Sequence, residues 1–132
     1  MSEDELVRCR VAACRERLGD GKTWSFYVLN DNDFSLDEMI LYEVGYEWGD
    51  WGNSDSTDVH VTGLAPGGHA LIWRDDGSGA ELRMTLSLRV QLHGHTARIE
   101  VEFPKLYQKK NMPLVEGLDK PGWQESVEAR VS

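Results

Sequence analysis

Residues 82–103 read LRMTLSLRVQLHGHTARIEVEF. Leu82, Met84, Leu86, Leu88, Val90 and Leu92 alternate with Arg83, Thr85, Ser87, Arg89, Gln91 and His93. In an extended chain every second side chain shares a face, so this stretch reads as a long strand with one buried and one wet side. Gly94 breaks it, and Ala97, Ile99, Val101 and Phe103 then alternate with Arg98, Glu100 and Glu102. That is a second strand, folded back on the first as a hairpin. Cross-strand Arg and Glu are expected to pair on the wet face.

The same period extends toward the N-terminus. Residues 23–29 (TWSFYVL) are β-branched and aromatic, as strands prefer. Ile40, Tyr42, Val44, Tyr46 and Trp48 read as one face of a third strand, with Glu43 and Glu47 on the other. Residues 59–62 and 70–73 read as shorter strands around the turn segment GLAPGG (63–68), where Pro66-Gly67 is a turn signal. Further breaks are expected at 19–21, at NDND (30–33), at 49–58 (GDWGNSDSTD) and at 75–79. Residues 3–18 carry two readings. Val7, Cys9, Val11 and Ala13 alternate as a strand would, whereas Val7, Val11, Cys14 and Leu18 share a helical stripe, with Ser2 and Glu5 as a capping box and Gly19 as the C-cap. The strand is favoured because the 19–21 turn then closes a hairpin onto 23–29. In a strand Cys9 and Cys14 lie about 16 Å apart, too far for a disulfide. Both are read as reduced thiols of a cytoplasmic protein.

Many short strands without βαβ alternation define an antiparallel sandwich or barrel. The expectation is an all-β, immunoglobulin-like sandwich of about seven strands over residues 1–104. From 105 to 132 the periodicity is lost, Pro113 and Pro121 interrupt the chain, and Leu114, Val115, Leu118 and Trp123 are scattered apolar anchors. This segment is expected to be an extended tail packed on the sandwich or on a partner subunit.

The order of turn signals, Asn30-Asp31-Asn32-Asp33 after a strand and Leu64-Ala65-Pro66-Gly67 near the middle, resembles the small bacterial immunoglobulin-like modules of the FxLYD and CARDB-like groups. The resemblance covers about residues 6–104. It implies a sandwich that binds or spaces other molecules and does not catalyse. The sequence departs from those modules in its long 49–58 segment, its extra tail and an acidic rather than export-type N-terminus.

The chain has 132 residues, 40% of them hydrophobic, enough for one core. Its net charge is −9, from 23 acids and 14 bases. No Lys or Arg occurs from 23 to 73, a stretch that holds nine acids: Asp31, Asp33, Asp37, Glu38, Glu43, Glu47, Asp50, Asp55 and Asp58. Outside it the acids equal the bases at 14 each. An acidic pole repels phosphate backbones and anionic membranes and draws cations, so nucleic acid and membrane are not expected partners.

No G-x-S-x-G, P-loop or G-x-G-x-x-G motif is present, and no Cys or Ser sits in a nucleophile arrangement with a His. No catalytic residue and no cofactor is assigned. The four histidines (His60, His69, His93, His95) and the acidic loops are the candidate metal ligands, calcium being the ion that carboxylate loops at one end of a sandwich favour. Neither set has ligand-motif spacing. The expected contact surface is Glu43, Glu47, Asp50, Trp51, Asp55 and Asp58. Carboxylates there would steer a basic protein surface, and Trp51, set in a polar Gly-rich segment, would anchor it. A carbohydrate-binding module, a calcium-stabilised sandwich and self-association through an open strand edge are the alternatives.

Overall fold

The computed structural model describes residues 5–18, 21–75, 81–106 and 109–131. Within them there is no α-helix. The strands are β1 (Glu5–Leu18), β2 (Gly21–Asn30), β3 (Leu36–Trp48), β4 (Trp51–Leu64), β5 (His69–Asp75), β6 (Arg83–Leu92), β7 (His95–Phe103), the two-residue β8 (Leu114–Val115) and β9 (Lys120–Pro121), and β10 (Trp123–Val131). Eight of them form two four-stranded antiparallel sheets, in the orders β10-β1-β2-β5 and β4-β3-β6-β7. The sheets stack as a sandwich, with β10 beside β7 at one edge and β5 beside β4 at the other.

Alternation builds the core. Val7, Cys9 and Val11 of β1, Phe26 and Val28 of β2, Met39 and Leu41 of β3, and the even-numbered apolar residues of β6 meet between the sheets. Phe26 and Phe103 pack edge to face across it at 5.2 Å. The hairpin of β6 and β7 closes with Leu92 opposite His95. Both turn residues, His93 and Gly94, have positive φ (53° and 79°), the geometry that matches hairpin twist.

Residues 5–18 are a strand, and β1 pairs β2 with Leu18 opposite Gly21. The turn residues 19–20, and 76–79 of the expected 75–79 break, lie outside the described residues. Cys9 faces the core, while Cys14 faces outward among Ala12, Tyr27 and Leu29. Their odd and even positions put them on opposite faces, which separates them further than distance alone.

Three expectations are corrected. The segment 49–58 is not a loop: only Gly49 and Asp50 turn, and 51–58 continues as the first half of β4, paired to β3. Its Gly, Asn, Ser and Asp residues are poor strand formers, but pairing along β3 overrides them. Ile40 and Tyr42 do not share a face with Val44 and Tyr46, because a bulge between Leu41 and Glu43 reverses the alternation. Residue 104 is not the end of the sandwich, since β10 forms the edge of the first sheet against β1.

Residues 113–122 roof the outer face of the first sheet. Val115 and Leu118 bury Ala12, Cys14, Tyr27 and Leu29 beneath them. Arg10 ties the roof down: it forks onto both oxygens of Asp31 (2.7 and 2.9 Å) and donates to the Glu116 carbonyl and the Gln124 side chain, each at 3.0 Å. Farther along, Tyr27 donates to Glu16 at 2.6 Å, and Lys120 donates to both. With cover on both sides, residues 11–14 and 24–30 are buried without interruption.

At the end of the sandwich that carries residues 30–36 and 64–68, the side chain of the buried Asn30 donates to the Phe34 and Leu64 carbonyls, both at 2.9 Å. Its own backbone exchanges hydrogen bonds with Gly67 and Gly68. The NDND and Leu-Ala-Pro-Gly turns are thus one interlocked corner.

Candidate functional site

The β3–β4 hairpin projects at the opposite end. Trp48 and Trp51 face each other across its turn, where Gly49 takes φ +57°, the first turn position that favours glycine. Trp48 is 60% and Trp51 51% exposed. Large aromatic side chains seldom stay this open in pairs. The reason is a mismatch of lengths: β4 has 14 residues and the facing β5 only 7. The first half of β4 therefore overhangs the sandwich, and residues 51–56 are all exposed. A hollow of about 470 Å³ beside Trp48 is lined by Glu81, Leu82 and Lys105.

On the outer face of the second sheet a shallow trough of about 430 Å³ runs around Gly45. Gly45 brings no side chain, so the floor is set by Ser54, Thr85 and Ser87, and the rim by Glu43, Glu47, Glu100 and Glu102. Strand β6 brings the two pairs of acids together, because Ser87 lies opposite Glu43 on one side and Glu100 on the other. Arg83 sits at one end, 3.7 Å from Glu102. The expected Arg–Glu pairing on the β6–β7 face is thus limited to this diagonal contact. Arg89 lies opposite Arg98 and stacks over the Tyr42 ring at 5.4 Å.

The six residues expected to form one surface are distributed over one hairpin. Glu43 and Glu47 rim the trough, Asp50 occupies the turn, Trp51 and Asp55 lie on the other face of β4, and Asp58 stands beside His60 on the trough face. Trp48, Glu100 and Glu102 join them and were not singled out from sequence. The β6–β7 register was legible and places Glu100 beside Ser87, but the pairing of β6 with β3, which completes the trough, had no local signal.

Three of the four remaining acids of the Lys- and Arg-free stretch, Asp31, Asp37 and Glu38, work elsewhere. Asp31 holds Arg10. Asp37 accepts the backbone N–H of His93 at 2.8 Å. Glu38 and Asp58 bracket His60, at 3.0 Å from Nδ1 and 2.7 Å from Nε2. Hydrogen bonds to Glu38 and then Asp58 hold its imidazole above the ordinary proton affinity. The stretch is therefore not one pole.

The NDND loop and the Gly49–Asp50 turn lie at opposite ends of the 13-residue β3, so they do not converge as a calcium cage would require. Among the described residues no group of three or more His, Cys, Asp or Glu side chains is placed to hold a metal. The thiols are shut away: burial pushes Cys9 up to about 12 and Cys14 up to about 11.

Among the described residues no helix is long and apolar enough to cross a membrane. Comparison with known proteins finds no matching family model and no matching curated relative.

Proposed function

We propose that the protein is a non-enzymatic binding or assembly module that meets a basic protein surface through its β3–β4 hairpin. The observation that carries this reading is the exposed Trp48–Trp51 pair at the hairpin tip, next to Asp50, Glu47 and Asp55. Clustered Trp side chains that lose their water on contact dominate many interfaces, each supplying about 2 kcal/mol or more. The surrounding carboxylates act earlier, by accelerating encounter with a positive partner. The immunoglobulin-like reading of the sandwich belongs here too. It is supported by the β1-β2-β5 and β4-β3-β6-β7 order, with β10 as an added edge, and by the single corner that joins the two turn motifs.

Selection of displayed peptides against the whole chain tests this. Enriched ligands should be rich in Lys and Arg. The double substitution Trp48→Ala, Trp51→Ala should weaken them by about thirtyfold or more, as loss of one hot spot does, with an unchanged melting temperature. Acidic ligands, or binding indifferent to both Trp residues, would reject the surface.

The hollow of Trp48, Glu81, Leu82 and Lys105 favours a second reading, a sugar ring stacked on Trp48 with its hydroxyls bonded to the carboxylate and ammonium. A glycan array distinguishes it: retention of one sugar class, lost with Trp48→Ala, supports the sugar, and an empty array removes it.

A further inference from the structure

We infer that the free edge of β4 between Gly52 and Ser56 receives an extended, Lys- or Arg-bearing segment of a partner protein as an added strand. The inference rests on the hairpin being the contact surface, and specifies how the partner is held.

The backbone comes first. Trp48 and Trp51 flank a two-residue turn, so they close it by sharing backbone hydrogen bonds. In an antiparallel ladder bonded and non-bonded pairs alternate. Tyr46–Asn53 and Val44–Asp55 are thus the next bonded pairs in the register. The N–H and C=O of Gly52, Ser54 and Ser56 point away from β3. Among the described residues no strand lies on that side, since β4 ends its sheet.

Sheet edges are normally blocked by Lys, Pro, bulges or covering chain. Between Gly52 and Ser56 β4 has no Lys and no Pro, and its bulge falls farther along, past Ser56. The three outward-facing residues are a glycine and two serines, side chains too short to screen the amides. The other edges differ: β5, β7 and β10 each carry an Arg, at Arg74, Arg98 and Arg130. β4 alone among these edges has no Lys or Arg, and residues 51–56 are open on both faces.

Charge selects the occupant. Side chains of an added strand alternate between two environments. One set lies beside Trp51, Asn53 and Asp55, where an aliphatic stem covers the ring and an ammonium meets Asp55. The other set lies beside Gly52, Ser54 and Ser56, with Glu43 and Glu47 on the next strand within reach of a long basic side chain. A second copy of β4 would bring Asp55 and Asp58 against like charges, which an ordered pair disfavours. Strand addition of this kind draws affinity from main-chain bonds and specificity from alternate side chains.

The test uses the whole protein and a synthetic peptide of about nine residues alternating Lys with Val and Thr, a length typical of a paired strand. Intrinsic tryptophan fluorescence and calorimetry read binding. Ser54→Pro removes one outward N–H that the β3 ladder does not use, a place where edge strands accept proline. It should weaken the peptide about tenfold or more, while Ser54→Ala changes it less than about twofold. The same peptide N-methylated throughout should not bind, which provides the readout should Ser54→Pro fail to fold. If Trp48→Ala, Trp51→Ala abolishes binding and both Ser54→Pro and N-methylation leave it intact, strand addition is wrong while the contact surface stands. If none of the three matters, the surface falls with it. A dimer in sedimentation that Ser54→Pro dissociates would make a second copy the occupant and overturn the basic partner.

Discussion

Gly122, between β9 and β10, separates the effect of packing from that of backbone conformation. Its φ lies outside the left-handed region, so an alanine there meets no conformational penalty. The penalty is spatial. A Cβ at Gly122 would stand 2.9 Å from the Ala13 carbonyl oxygen, 2.9 Å from Cys14 Sγ and 3.1 Å from a Val115 methyl. The first of these is backbone in the middle of β1, held by ladders on both sides. The roof must therefore lift. Overpacking a rigid site costs about 1–3 kcal/mol, and a backbone clash belongs at the upper end. Replacing glycine returns about 0.4–1 kcal/mol by restricting the unfolded chain, which leaves a net loss of about 2 kcal/mol. With an unfolding entropy of about 2.1 cal/mol/K per residue over 132 residues, that lowers Tm by about 7 °C. Gly52→Ala is the control: its nearest neighbours are 3.8 and 3.9 Å away, and it should leave Tm unchanged or raise it by about 2 °C. Thermal unfolding followed by circular dichroism measures both. Equal melting temperatures for Gly122→Ala and wild type would refute the packing of the 109–122 segment on the first sheet.

Arg10→Ala should cost about 1–2 kcal/mol in urea unfolding, because it removes the fork onto Asp31 and releases the Glu116 carbonyl. Arg10→Lys should recover little of that loss, lacking the planar fork. In a proton NMR titration the His60 imidazole should titrate above its ordinary 6.5, because Glu38 and Asp58 hold the charged form. Its contribution to stability is complete below the ordinary imidazole pKa and is lost as pH rises through the folded value; a midpoint at or below 6.5 would refute the clamp. Neither thiol should react with a disulfide reagent at pH 8 in the folded protein, and both should react once it is unfolded, since Cys9 and Cys14 stay protonated far above that pH.

The sandwich was legible wherever one face of a strand is wet, because burial then imposes a two-residue rhythm. β6 and β7 show this with hardly a break. The rhythm fails in three places, each for a physical reason. In β1 and β2 the roof buries the second face as well, so residues 11–14 and 24–30 are buried without alternation and read as largely apolar runs, with Ser25 and Asn30 as the polar members. In the first half of β4 neither face is buried, and a strand without a buried face has no apolar signature at all. In β3 a bulge shifts the phase by one residue, which moved Ile40 and Tyr42 to the wrong side of the sheet. β10 carries a faint rhythm, Val127, Ala129 and Val131 alternating with Ser126, Glu128 and Arg130, but the prolines before it mask it and its partner β1 lies more than a hundred residues away. As for the site, Trp51 was legible as an aromatic in polar company. Trp48 was hidden inside an apparent core stripe that the overhang carries out into solvent.

The two sheets divide the work of the molecule, and the division can be weighed. The first has its outer face roofed, Arg10 and Glu16 paired beneath the roof, and its middle strands buried on both sides. The second leaves its outer face open, with Glu43, Glu47, Glu100 and Glu102 around one glycine and Arg83 beside Glu102 at one end. Glu43 and Glu100 stand two strand spacings apart, about 10 Å, one Debye length at 0.1 M salt. The trough thus carries an excess of negative charge that Arg83 offsets only in part, which lowers stability unless a partner neutralises it. Glu43→Gln with Glu100→Gln should therefore raise stability by about 0.5 kcal/mol, or Tm by about 2 °C, and reduce its dependence on added salt. The same pair should weaken a basic ligand. Stability and binding moving in opposite directions is what a surface kept for recognition requires. If the double substitution lowers Tm instead, those carboxylates hold the sheet together, and recognition is left to the tryptophans and the open edge.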